Sequence, residues 1–212
     1  KRTYYIYLLF FNYMFSQVEI TTPIITINDG IVFKLDEDVP FTGKFSISKD
    51  SLVVEQGLYR SGIKSGLWRQ WHYNGELKSK GIYRDNKKTG VWISWYDNGN
   101  KKEEGSYIEG DRDNTWVKWY QTGHKQEEGN FKAGKLDGSL IRWYENGNKS
   151  QEGVYSSGKQ EGEWVWYYQS GIKKEKTVFK DGQQEGLWIQ WFKDGTKKSE
   201  RKFSDGERDS IW

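Results

Sequence analysis

A 24-residue unit begins at Gly57 and recurs with little variation to the end of the chain. A period of that length confines the fold to an array, a solenoid or a propeller. The first copy reads GLYRSGIKSGLWRQWHYNGELKSK, and later copies start at Gly81, Gly105, Gly129, Gly153, Thr177 and Arg201. Each copy holds a run such as Val91-Trp92-Ile93-Ser94-Trp95-Tyr96, with equivalents at Trp116 to Tyr120, Leu140 to Tyr144, Trp164 to Tyr168 and Trp188 to Phe192. Short aromatic and β-branched runs suit a pleated strand, and the frequent glycine opposes helix. The strand ends at Asn74-Gly75, Asn98-Gly99, Thr122-Gly123, Asn146-Gly147, Ser170-Gly171 and Asp194-Gly195. Asn-Gly between β runs predicts a two-residue type I′ hairpin with positive φ at both central residues. A second, looser turn such as Ser156-Ser157-Gly158-Lys159 leads to the next copy.

A two-residue tip at Asn98-Gly99 sets Trp92 directly across from Gly105. The same arithmetic pairs Trp68 with Gly81, Trp116 with Gly129 and Leu140 with Gly153. A ring laid over a cross-strand glycine covers bare backbone and recovers packing that glycine lacks. Trp68, Gly81, Trp92, Gly105, Trp116, Gly129 and Gly153 are therefore the expected structural set. Thr177 and Arg201 replace that glycine, so their hairpins are expected to pack less tightly. Because successive side chains alternate in direction, both faces of the sheet carry rings. The expectation is an all-β fold, an elongated single-layer antiparallel β-meander in which aromatic ladders stand in for a core. At about 4.8 Å between strands it would run on the order of 60 Å.

Hydrophobic residues make up 34% of the chain and charged residues 30%, with aromatics supplying half of the apolar content. A disordered chain is poor in aromatics. Lys and Glu are finely mixed, as in Lys101-Lys102-Glu103-Glu104, whereas nucleic-acid binding calls for a segregated basic stripe. Cysteine is absent, which rules out disulfides and thiolate metal sites.

Residues 1–16 have the layout of a secretory signal peptide: Lys1 and Arg2, an apolar run from Tyr4 to Phe15, then Ser16, with cleavage expected before Gln17. The run is short for a membrane span, which takes about 20 residues, so no integral span is expected after cleavage. The product would be periplasmic, on the cell surface or secreted. Residues 17–56 read as an N-terminal β cap, needed to cover the first open edge of an array. Within it PFTGKFSISKDSLVVEQG resembles a shortened unit with Asp50-Ser51 at its turn, while Asp36-Glu37-Asp38 lacks calcium-loop spacing. Residues 57–212 hold six full copies and a truncated seventh. Ile211-Trp212 falls within a repeat, so the protein is expected to continue or its edge strand to pair with another chain.

Catalysis finds little support. His72 occupies the slot of Tyr96 and Tyr120 and reads as a ladder member; His124, in the slot of Asn100 and Asn148, reads as exposed. No nucleophile elbow is present, and Glu103-Glu104 and Glu127-Glu128 point to opposite faces rather than converging on one bond. No phosphate-binding glycine motif or metal-ligand spacing appears. The expectation is a non-enzyme without cofactor or metal. Binding is the better class: Trp71, Trp95, Trp119, Trp143, Tyr167 and Trp191 form a periodic row that could grip a peptide, a glycan or a partner sheet.

The segment GVWISWYDNGNKKEEGSYIEGDRDN, with its near-copies from about Phe41 to Trp212, resembles the variant MORN repeats of bacteria, a group that includes YwqK-like antitoxins. The resemblance implies a meander of antiparallel hairpins and a non-enzymatic protein- or lipid-binding scaffold. It leaves two roles open, an exported scaffold holding a protein or envelope component and an antitoxin-like protein neutralising a partner toxin. Asn114 and Ser210 depart from the pattern in place of the glycine before the Trp strand, and Leu140 replaces the first Trp.

Overall fold

The computed structural model describes residues 25–34 and 37–209. The expected signal stretch, Asp36 and Ile211-Trp212 lie outside the described residues. Regular structure among them is entirely β-strand. β1 (Ile25–Asn28) and β2 (Ile31–Lys34) form a hairpin of their own. The first compact unit, residues 1–99, also holds β3 (Gly43–Lys49), β4 (Leu52–Arg60), β5 (Ile63–Trp71), β6 (Leu77–Arg84) and β7 (Lys87–Trp95). The second unit, residues 100–212, holds β8 (Lys101–Ile108), β9 (Asp111–Trp119), β10 (Lys125–Lys132), β11 (Lys135–Trp143), β12 (Lys149–Ser156), β13 (Lys159–Tyr167), β14 (Lys173–Lys180), β15 (Gln183–Trp191), β16 (Lys197–Ser204) and β17 (Glu207–Arg208). Within each unit, β3 to β7 and β8 to β17 pair antiparallel in chain order, so the fold is an all-β antiparallel meander.

The two kinds of turn have exchanged the roles expected of them. The tight type I′ turns are Asp85-Asn86, Glu109-Gly110, Ala133-Gly134, Ser157-Gly158 and Asp181-Gly182, where both central residues have positive φ. At the Asn-Gly tips positive φ is confined to the glycine, for example +91° at Gly123. There Tyr120 N–H donates to the His124 carbonyl at 2.8 Å and Gly123 N–H to the Tyr120 carbonyl at 2.9 Å. That encloses a three-residue loop that ends in a left-handed glycine. The Asn or Asp before the glycine works through its side chain: Asn146 Oδ1 accepts from Asn148 N–H at 3.1 Å and Asp194 Oδ1 from Thr196 N–H at 2.8 Å. Asn and Asp favour this local acceptor role in turns.

The register nevertheless comes out as expected, with Trp68 opposite Gly81, Trp116 opposite Gly129 and Leu140 opposite Gly153. The third loop residue is offset by a one-residue bulge in the return strand, such as Gln126 between the pairs Lys125–Trp119 and Glu127–Lys118. Trp92 belongs to the first unit and Gly105 to the second, so these three equivalents, each within one unit, carry the comparison.

The ring placement differs from expectation. Each Trp covers the glycine of the preceding strand and not its register partner. A Cβ built on Gly57, Gly81, Gly105 or Gly153 would lie 2.1–2.2 Å from Cδ2 of Trp68, Trp92, Trp116 or Trp164. Gly129, the partner of Trp116, is covered instead by Leu140 and Leu136. The cause is a wide bulge on that side. Between the pairs Glu152–Val165 and Val154–Glu161, Gly162-Glu163-Trp164 oppose the single residue Gly153, with Gly162 at φ +64°. The extra residues bend the Trp strand toward its predecessor. Asn114 holds the same left-handed place at φ +61°, a conformation Asn tolerates better than most residues.

In the first unit Val32, Phe41, Phe45, Tyr59 and Trp68 form a buried cluster. The β1–β2 hairpin is tied to it through Val32 N–H to the Gly62 carbonyl at 3.0 Å and Gly62 N–H to the Phe41 carbonyl at 2.7 Å.

Candidate binding face

Strand alternation gives each unit two faces of different character. One face holds the Trp–glycine contacts and is closed. Tyr83 meets Trp92 edge-on at 5.0 Å between centroids, Tyr107 meets Trp116 at 4.9 Å and Tyr155 meets Trp164 at 5.1 Å. Edge-to-face is the favoured arrangement of two ring quadrupoles. Three of the indole N–H groups are satisfied, Trp92 by the Ile82 carbonyl, Trp116 by that of Ser106 and Trp164 by that of Val154, at 3.0–3.2 Å, whereas that of Trp68 is buried without a partner. The outer ring surface carries a cation: Lys64 lies 3.8 Å from the Trp68 centroid, Lys88 4.4 Å from Trp92 and Arg112 4.2 Å from Trp116. A cation over an aromatic face is an attractive contact. In the fourth copy Trp becomes Leu140 and the cation becomes Leu136, while the next two copies keep the ring, Trp164 and Trp188, with Gln160 and Gln184 in the cation slot.

Thr177 disturbs this arrangement, one ring later than expected. Trp164, its register partner, is fully buried. The loss falls on Trp188, whose place over residue 177 is taken by the threonine side chain. Trp188 is only half-buried and its N–H donates to Glu175 at 2.5 Å instead of to a backbone carbonyl. The Thr177 hydroxyl is buried without a hydrogen-bond partner. Nothing in the contacts of Arg201 shows looser packing: its guanidinium lies 4.8 Å from the Trp188 centroid.

Beside the rings on the same face runs a polar ladder. Arg112 bonds Glu103 at 2.6 Å, and Glu127 receives Arg142 at 2.6 Å and Lys118 at 3.1 Å. Burial pushes the Glu127 carboxyl up, but the hydrogen bonds and charges of Arg142 and Lys118 outweigh it and hold the group below its ordinary value.

The opposite face carries the predicted row. Trp71 and Trp95 belong to the first unit, and Trp119, Trp143, Tyr167 and Trp191 to the second; all six are half-buried. Lysines flank them, with Lys80 5.5 Å from the Trp95 centroid, Lys101 5.6 Å from Trp119 and Lys125 5.8 Å from Trp143. Four lysines of the second unit's series also pair with a glutamate three residues on, Lys101–Glu104, Lys125–Glu128 and Lys149–Glu152 at 2.6–2.7 Å, and Lys197–Glu200; the fifth, Lys173, is followed by Lys176, which pairs with Glu163 at 2.5 Å. The Tyr167 hydroxyl donates to Glu152. Burial and that carboxylate push its phenol up to about 12.

The histidines are absorbed into the hairpin tips. His72 Nε2 bonds the Trp95 carbonyl at 3.0 Å, as the hydroxyls of Tyr120, Tyr144 and Tyr168 bond the carbonyls of Trp143, Tyr167 and Trp191. His124 is exposed, and its Nδ1 bonds the Glu145 carbonyl at 2.7 Å, as Asn100 and Asn148 bond the carbonyl of Gln121 and Gln169. These tip-to-tip bonds join successive hairpins, a role not legible from the turn motif alone. Among the described residues no group of three His, Asp or Glu side chains could hold a metal ion, and no helix is long and apolar enough to cross a membrane.

Repeated hairpins with left-handed residues at fixed places and Trp stacked on glycine define a β-repeat protein. The family described as MORN repeat variant matches residues 64–85, 88–109, 112–133, 136–157 and 160–181, about half of the chain, and the protein belongs to that family. No curated protein matches the chain.

Proposed function

We propose that the chain is a non-enzymatic scaffold that holds a protein partner on its open aromatic face and acts after export. The observation behind this is the contrast between faces of the same repeats. Trp116 and Trp164 are at most 3% exposed on the closed face, while Trp119 and Trp143 across the sheet are half-buried beside lysine ends. Rings that a partner can desolvate by displacing lysine tips are the usual anchors of an interface. Export rests on the basic, apolar and small-residue order of the first 16 residues.

The test compares the wild-type chain with a Trp119→Ala/Trp143→Ala variant as bait against envelope extract. One partner retained by the wild type and lost by an equally stable variant supports the reading. Equal capture by both overturns it. Mass measurement of the native product checks export: cleavage before Gln17 is expected, whereas an intact N-terminus on a cytoplasmic protein bound to a toxin would replace the reading with the antitoxin-like one.

A further inference from the structure

The open face does not have the same charge in the two units. In the second, the glutamates at positions 104, 128, 152 and 200 neutralise the lysines three residues earlier, and Lys176, which fills that slot in the remaining copy, is itself paired with Glu163. In the first unit the same two slots hold Leu77 and Lys80, so the ion pair is replaced by an apolar residue and a cation. Register places Lys80 beside Arg69, and Leu67 beside Ile82. Arg60, Arg69, Lys80 and Arg84 are all exposed and, among the described residues, none forms an ion pair. Between them lie exposed apolar side chains: Leu67 at 42%, Ile82 at 46% and Val91 at 55%. A groove of about 380 Å³ opens at the turn edge of this patch, over Gly66, with Arg60 and Arg84 on its walls. It contains one carboxylate, Asp85, against the two guanidinium groups; the charge of Lys64 in the same wall is met by Glu55 at 3.2 Å.

We infer that this patch of the first unit is a docking site for an extended, acidic and aliphatic segment of a partner protein. Carboxylates of the segment would meet Arg60, Arg84, Arg69 and Lys80, and its alternate side chains would cover Leu67, Ile82 and Val91. An extended chain presents groups to one side at every second residue, which matches the alternation of cation and apolar side chain across these strands. The apolar surface selects a polypeptide over a nucleic acid: a nucleic acid needs open rings for its bases, whereas Trp95 is half-buried and overlaid by Lys80. The inference rests on the protein-binding reading above but uses different residues.

The probe is a short fluorescein-labelled peptide of the repeat Glu-Ser-Val-Ser, which in an extended chain presents Glu and Val in turn on one side, followed by anisotropy with the full chain. Arg60→Glu/Arg84→Glu should weaken binding about tenfold, and Lys80→Glu, which installs the carboxylate found at positions 104, 128, 152 and 200, several-fold. Raising salt should weaken the wild-type complex. The Trp119→Ala/Trp143→Ala variant should bind the peptide as the wild type does. Unchanged affinity in both charge variants overturns the inference. So does equal binding of a Glu-Ser-Gly-Ser peptide, which would mean charge alone, or displacement of the peptide by a single-stranded oligonucleotide or by vesicles of anionic lipid. If the peptide fails while the aromatic-row variant still loses its partner, this inference falls and the scaffold reading stands.

Discussion

Gly153→Ala isolates the contact on which each repeat is built. The new methyl carbon would lie 2.2, 2.3 and 2.7 Å from three atoms of the Trp164 ring, and residue 153 does not need a left-handed backbone, so the clash is the whole perturbation. The ring must swing out. Trp188 shows where it goes: with Thr177 beneath it, that ring is half-buried and bonds a glutamate. Uncovering about a third of a ~200 Å² side chain costs about 2 kcal/mol. Losing the N–H bond to the Val154 carbonyl adds about 1 kcal/mol, and the edge contact with Tyr155 about 0.5–1 kcal/mol. Against this, Ala loses less backbone entropy than Gly on folding, which returns about 0.5–1 kcal/mol. The expected net loss is about 2.5–3.5 kcal/mol, at the upper end of the cost of overpacked sites. Urea unfolding followed by tryptophan fluorescence gives the total. Amide exchange over β12 and β13 localises it, because stability in a repeat array is a sum of neighbour terms. Thr177→Gly should do the reverse, drawing Trp188 over residue 177 and its N–H away from Glu175. A Gly153→Ala cost below about 1 kcal/mol, with the Trp164 indole resonance unmoved, would refute the reasoning.

Leu136→Arg and Leu140→Trp should each destabilise alone and recover together, with a coupling of about 1 kcal/mol in a double-mutant cycle, because the three preceding copies pair a cation with that ring. His72→Tyr should preserve the tip-to-tip bond and leave the unfolding midpoint unchanged, while His72→Phe should cost about 1 kcal/mol. Glu127 is held below its ordinary value in the folded chain, so its contribution is present above the unfolded-state pKa and lost as pH falls through the folded one. Glu127→Gln should therefore lower the urea midpoint at neutral pH and flatten its decline on the acid side. Tyr59 and Tyr167 are both pushed up to about 12, by burial first and then by Glu55 and Glu152 respectively. A Tyr167→Phe variant should accordingly lose one of the last phenols to ionise in a spectrophotometric titration.

The period, the strands and the register were legible because each depends on local chemistry repeated many times. Trp116 opposite Gly129 came out correctly even though the loop reasoning behind it did not hold. Asn-Gly suggested a two-residue tip; the structure has a three-residue loop and a bulge at residue 126, and the two differences cancel. The real type I′ turns lay at pairs such as Ala133-Gly134 and Ser157-Gly158, where a non-glycine residue accepts the left-handed strain and composition gives a weak signal. The direction of the Trp ring was not legible for a different reason. A glycine lies on the strand on each side of Trp116, at 105 and 129, and the choice is made by a bulge at Asn114 that pattern alone does not reveal. The binding row was visible as a period, but the neutralised charge of the second unit and the bare cations of the first required knowing which side chains share a face.

The most direct test of the account is the ring-current shift of two glycine α-protons in the second unit, measured by NMR. The account predicts a strong upfield shift for the Gly105 proton that points where a Cβ would be, with cross-peaks to the Trp116 ring, and an ordinary position for its counterpart on Gly129, which lies under Leu140 and Leu136. The opposite pattern, with Gly129 shifted by Trp116 and Gly105 ordinary, would contradict it.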